Sequence, residues 1–251
     1  MKNNLNGFTL AEVLITLGII GVVAALTLPM LIAKYNKIVL SNQLEKAYAE
    51  VTQILKQAET QNGPMEHWES FDTDTPHYLK DANRVLEEKL MPVISGGILY
   101  KSKSSDTGYA YGMCYDKGSL VQEDRNGSKG QHVWMNNVFV TTPMTGRTAS
   151  IALQDGVCVG FTPINGDYFI VDVIIDVNGV NKKPNMAGKD LFFFKLGKDS
   201  KLLPYGYDWK YEDLISTRGQ ACNKQQQNSP GYVCASKAMA DGWNFKGDYP
   251  W

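Results

Sequence analysis

The chain has 251 residues, 25 Lys and Arg against 26 Asp and Glu, and a formal net charge of -1. That balance argues against non-specific nucleic-acid binding by the chain as a whole, and 43% apolar against 20% charged residues excludes a disordered composition. The length accommodates a membrane or filament segment plus one globular domain.

Met1 to Gly7 is polar and carries Lys2, and the next residues are Phe8-Thr9-Leu10-Ala11-Glu12. An apolar stretch from Val13 to Leu28 follows. Between Phe8 and Leu28 only Glu12 is ionisable, and about 21 residues is the length a helix needs to cross a bilayer. Lys34 and Lys37 lie just beyond the span, so positive charge alone favours the opposite topology or none. A carboxylate inside an apolar span is costly without a partner, and an ordinary uncleaved anchor has no use for it. A secretory signal cut between Val22 and Leu26 would need an unusually long apolar region with its acid at the wrong end.

The string Gly7-Phe8-Thr9-Leu10-Ala11-Glu12 ahead of an apolar run resembles the processing signal of type IV prepilins and type II secretion pseudopilins. The resemblance is confined to the N-terminal part of the chain. It implies that a prepilin peptidase cuts between Gly7 and Phe8 and that Phe8 becomes the N-methylated end of the mature subunit. It implies as partners other pilin or pseudopilin subunits, the prepilin peptidase and methyltransferase, the inner-membrane assembly platform and the lipid bilayer. It also implies a single pass in the cytoplasmic (inner) membrane, a head in the periplasm or outside the cell, and a filament after assembly. In an apolar bundle the amine of one subunit's Phe8 would neutralise Glu12 of a neighbour, because each charge is expensive there alone.

Beyond Pro29 the pattern turns amphipathic. Leu40, Leu44, Ala47, Tyr48, Val51, Leu55 and Ala58 recur at helical steps, with Lys37, Asn42, Glu45, Lys46, Glu50, Gln53 and Lys56 opposite. One helix is therefore predicted from about Phe8 to about Gln61, stopped by Asn62-Gly63-Pro64. Gly18, Gly21 and Pro29 are its candidate kink positions.

A short helix is predicted over Ala82 to Leu90, ended by Pro92. Strands follow at Gly97–Tyr100, Tyr109–Tyr115, Val133–Thr141, Ser150–Leu153, Val157–Thr162, Tyr168–Asp176 and Leu191–Leu196. Asp124 to Gly130 reads as a turn. The expected fold class is α+β, a long N-terminal helix packed on an antiparallel sheet. The domain reading is a leader at 1–7, a membrane or filament-core helix at 8–28, an amphipathic stalk at 29–61 and a head at 62–251.

The segment from Asp172 to Asp190 runs a strand into an oxygen-rich turn holding Asp176, Asn178 and Asp190. Such turns can bind calcium. The spacing is not that of an EF-hand loop, and Lys182 and Lys183 dilute the charge, so turn capping by Asx side chains is the primary expectation, with calcium the alternative. No other cofactor is implied.

Cys114, Cys158, Cys222 and Cys234 form no C-x-x-C pair and have no His at ligand spacing, which argues against zinc and for disulfides in an oxidising compartment. Cys222 and Cys234 bracket a polar, turn-rich loop, and Cys114 with Cys158 would be the remaining pair, although sequence alone leaves the connectivity open. A closed C-terminal loop is similar to the D-region of type IV pilins. Ala235 to Ala240 is predicted to be helical, and the aromatic tail from Trp243 to Trp251 is expected to dock on the head.

The sequence contains no P-loop, G-x-S-x-G or H-E-x-x-H motif, and His67, His77 and His132 are scattered. Trp68, Trp134 and Trp209 are candidate ligand-stacking aromatics, although core packing is the commoner fate of Trp. The lysines of Tyr100-Lys101-Ser102-Lys103 make only a small electrostatic footprint, so nucleic acid is not an expected partner. The expected role is a non-enzymatic filament subunit. The alternative is a membrane-tethered module whose head binds a surface, a sugar or DNA.

Overall fold

The computed structural model describes residues 9–68, 83–101, 103–105, 108–110, 114, 149–163, 169–179, 182, 186–217, 221–223, 231–249 and 251. The chain divides into two units, Met1–Val39 and Leu40–Trp251. Helix α1 (Leu10–Asn62) begins in the first unit and ends in the second, with Pro29 inside it.

In the first unit the apolar side chains face outward. Leu10 is 78% exposed and Met30 76%, and no described residue there is buried. The stretch is long and apolar enough to cross a membrane.

The second unit is built on a six-stranded antiparallel sheet. Its strands are β1 (Ile98–Tyr100), β4 (Ala149–Ala152), β5 (Cys158–Pro163), β6 (Phe169–Asp176), β7 (Leu191–Gly197) and β8 (Leu202–Pro204), in the order β1-β4-β5-β6-β7-β8. From β4 to β8 the chain is a meander, and β1 closes the β4 edge with Leu99 opposite Ile151. A separate antiparallel hairpin joins β2 (Lys103–Ser105) to β3 (Gly108–Ala110). The predicted α+β architecture is what the structure shows.

Why β7 is apolar at successive positions follows from what covers each face. Leu191 to Phe194 are all buried. Phe194 stacks on Tyr48 of α1 at 5.6 Å and Phe192 on Phe245 of the tail at 5.8 Å, while Phe193 on the reverse face meets Tyr232 at 4.7 Å. A strand buried on both sides loses the apolar–polar alternation of a half-solvated sheet. On α1 the buried stripe is Ser41, Leu44, Ala47, Val51, Leu55 and Ala58, which joins the sheet in one core. Fully burying each Leu or Val there contributes about 1.5–3 kcal/mol. Tyr48 adds a hydrogen bond from its hydroxyl to the Leu202 carbonyl at 3.0 Å.

Several local expectations need correction. Pro92 does not end the helical segment before it: a π turn over Leu86–Leu90 runs on into a 3-10 turn at Met91–Val93, where Pro92 sits near the start and needs no N–H. Trp68 takes the commoner fate of a Trp, core packing, and not ligand stacking. It is buried, with its indole N–H donating to the Gly63 carbonyl at 2.9 Å. Strands β2 and β8 and the short helix α2 (Tyr211–Leu214) are additions. The predicted strand at 133–141, the turn at 124–130 and Trp134 lie outside the described residues, as do His77 and His132.

Candidate functional site

Gly7 and Phe8 lie outside the described residues. The first turn of α1 is described, and it places Glu12 against Thr9. The Thr9 backbone N–H donates to Glu12 Oε2 at 2.8 Å, the Thr9 hydroxyl donates to the same oxygen at 2.7 Å, and the Glu12 N–H donates to Thr9 Oγ1 at 3.3 Å. This reciprocal pattern is a capping box, in which a Thr before the helix and an acid three residues on satisfy one another's orphan backbone donors. The carboxylate also lies at the positive end of the helix dipole. Glu12 thus has a polar partner inside its own chain. Sequence reasoning singled out Glu12 and missed the role of Thr9, although the Thr-x-x-Glu spacing signals it.

The cysteines pair as Cys114–Cys158 and Cys222–Cys234, with Cα atoms 6.0 and 4.9 Å apart. The first joins a buried bend to β5. The second closes the loop that leads into α3 (Cys234–Ala240). It is seated against the turn before β7 with no room to spare. Gly188 has φ +75°, and a Cβ there would lie 2.5 Å from Cys234 Sγ; Gly231 has φ +97°, and a Cβ there would lie 2.2 Å from the Ala187 carbonyl oxygen. Glycine adopts these angles without strain, and with no Cβ it permits this approach. Trp251 fastens the same turn by donating its indole N–H to the Gly188 carbonyl at 2.6 Å.

Asp176, Asn178 and Asp190 are brought together at that turn. Asp176 Oδ1 accepts the N–H groups of Asn178 and Gly179, each at 3.2 Å, and the Asn178 side-chain amide donates to Asp190 Oδ2 at 2.6 Å. Asp190 Oδ1 accepts from the Met186 N–H. Val177 N–H to the Asp190 carbonyl, at 2.9 Å, extends the β6–β7 ladder by one step. These bonds agree with turn capping by Asx side chains. They do not satisfy everything, because Asp176 Oδ2 is buried and has no hydrogen-bond partner. Burial, then the adjacent charge of Asp190, pushes the Asp176 carboxyl up to about 8. Among the described residues no group of three or more His, Cys, Asp or Glu is placed to hold a metal ion.

Two further buried polar groups fix the head. Asp172 accepts a 2.5 Å hydrogen bond from the Tyr205 hydroxyl on the sheet face away from α1, and its burial pushes its carboxyl up to about 6. Lys237 of α3 is fully buried, 2.7 Å from Asp241 Oδ2 and 3.1 Å from Asp248 Oδ1, with its ammonium 3.9 Å from the centre of the Tyr249 ring. Lys246 and the Tyr211 hydroxyl complete the shell of Asp241. The docked tail follows from this network: Tyr249 and Phe245 are buried.

Residues 2–28 match the family model described as the prokaryotic N-terminal methylation motif. No curated protein and no solved structure matches the chain. The motif supports a type IV pilin-like, prepilin-type signal at the N-terminus, and with it a processed, methylated, membrane-anchored subunit.

Proposed function

We propose that the chain is a pilin or pseudopilin, a structural subunit of a type IV pilus or type II secretion-type filament. Prepilin peptidase removes residues 1–7, Phe8 is N-methylated, and residues 8–28 anchor the subunit in the inner membrane before entering the filament core. Residues 29–61 continue the helix, and residues 62–251 form a head in the periplasm or outside the cell. The assembly platform and neighbouring subunits are its partners.

The observation that carries this reading is Glu12 at the first turn of an apolar helix, inside a methylation motif, with that helix's apolar side chains exposed in the single chain. So large an apolar surface requires lipid or other copies to cover it. Within the single chain the acid caps the first turn with Thr9, but a carboxylate carried into an apolar bundle is costly without a charged partner. In a helical polymer the Phe8 amine of one subunit meets Glu12 of the next, and the pair sets the axial register because either charge alone is costly in that core.

The test is Glu12→Ala. Cleavage after Gly7 and membrane insertion are expected to persist, while recovery of the subunit in sheared or purified filaments falls to background. Incorporation at the wild-type level contradicts the assembly role.

A further inference from the structure

Among the described residues of the second unit, the exposed large apolar side chains are Ile98, Tyr207, Trp209 and Tyr211. All but Ile98 fall in the short segment between β8 and α2. Trp209, unlike Trp68, stays at the surface. The segment is nevertheless held at both ends. The Tyr207 N–H donates to the Pro204 carbonyl and the Trp209 N–H to the Gly206 carbonyl, each at 3.0 Å, so the chain makes two consecutive turns. Gly206, with φ +78°, lies so close to the chain before α3 that a Cβ there would stand 2.9 Å from Val233 Cγ1. Past the turns Leu214 is buried, and the Tyr211 hydroxyl donates to Asp241 Oδ1 at 2.9 Å. Aromatic rings fixed at a surface in this way lose little conformational freedom on binding.

Size and charge decide what covers them. Tyr207 is 48% exposed and Trp209 and Tyr211 37% each, so the three rings together offer about 300 Å² at most. A stable protein interface needs about 800 Å² on each side. Within the segment and α2, Asp208, Glu212 and Asp213 outnumber Lys210, and Lys246, 5.9 Å from the centre of the Tyr211 ring, is paired with Asp241. A nucleic acid would be repelled by this acidic excess. A neutral sugar chain meets no such conflict. In equatorially linked chains of glucose or N-acetylglucosamine, C–H groups cover both faces of each ring. Such a face stacks on an aromatic ring, whose π face is electron-rich, while the sugar hydroxyls bond to the polar side chains between the rings and to the indole N–H.

We propose that Tyr207, Trp209 and Tyr211 form a binding platform for a neutral, equatorially linked oligosaccharide, with Trp209 as the central stacking ring. The Cα atoms of Tyr207 and Tyr211 are at most about 14 Å apart, so the platform engages a few sugar rings of a longer chain. It is present in the single chain and does not depend on filament assembly.

The test uses the full chain in a detergent without a sugar headgroup, because an alkyl glycoside would compete. Cellohexaose and chitohexaose are titrated by calorimetry, with a decathymidylate as the comparison. Saturable binding of a hexasaccharide is expected, with a Kd of about 0.1–1 mM. Trp209→Ala should weaken it about tenfold without lowering the Tm, because the ring is exposed. Trp209→Phe keeps a stacking face and should recover most of the affinity. Absence of saturable binding of either hexasaccharide by the wild type up to about 10 mM overturns the proposal, as does binding that Trp209→Ala leaves unchanged. Tighter binding of the oligonucleotide, lost in Trp209→Ala, also overturns it and assigns the rings to single-stranded nucleic acid.

Discussion

Thr9 and Glu12 close on each other across the first turn of α1, with the Thr9 hydroxyl 2.7 Å and its N–H 2.8 Å from one oxygen of the Glu12 carboxylate. A free subunit therefore holds the acid by its own cap, and a neighbour's amine in the filament would approach a carboxylate already oriented. Thr9→Ala should leave processing intact, speed amide exchange at residues 9–13 in detergent several-fold, and reduce filament yield less than Glu12→Ala does. Thr9→Ser should restore the wild-type exchange rate. Equal exchange in the wild type and Thr9→Ala contradicts the cap.

Asp172 makes the head's stability depend on pH. An unfolded Asp carboxyl titrates near about 3.9, whereas the buried one titrates at about 6. Between those values the native state keeps a proton that the unfolded chain has released, so this group's contribution is most favourable below about pH 4 and declines as pH rises through 6. The full difference is about 3 kcal/mol, from roughly two pKa units. Asp172→Asn retains an oxygen for Tyr205 and removes the titration. In urea unfolding of the full chain in detergent, it should be more stable than the wild type at pH 7, with the gap closing near pH 4. Parallel pH profiles contradict this account.

Lys237 neutralises a carboxylate that water barely reaches, the Asp241 side chain being 1% exposed. Removing Lys237 leaves this buried carboxylate to the more exposed Lys246 and takes the cation from Asp248 as well. Lys237→Met should destabilise the head by about 3–5 kcal/mol and expose residues 245–251 to carboxypeptidase. Lys246 also reaches Asp241 but lies on the exposed side, so Lys246→Met should cost far less. Similar losses for the two variants contradict the distinction.

How much of this was legible in the sequence depends on how local the signal is. The stripe Leu44-Ala47-Val51-Leu55-Ala58 and the strands β4 to β7 carry their own periodicity or apolar runs bounded by turn residues, and they appear where expected. β8 ends in Pro204 and is a strand because Leu202, Leu203 and Pro204 pair with Leu196, Lys195 and Phe194 of β7, so three residues alone could not announce it. For Trp68 the sequence leaves ligand stacking and core packing both open, because its partner, the Gly63 carbonyl, is set by the turn after α1. Asp172 meets Tyr205 across the folded sheet and Lys237 meets Asp248 when the tail docks, and no spacing rule connects either pair. The oxygen-rich turn was visible, but burial of Asp176 and the unpartnered oxygen were not. Thr9 was legible and overlooked beside the more conspicuous Glu12.

The central claim is that the N-terminus is a processed assembly signal, and the most direct measurement is intact mass with N-terminal fragmentation of the membrane-extracted chain, with and without a co-expressed prepilin peptidase. The account predicts peptidase-dependent loss of residues 1–7 and one added methyl group on the Phe8 amine. An uncut chain, or a new terminus between Val22 and Leu26, contradicts it.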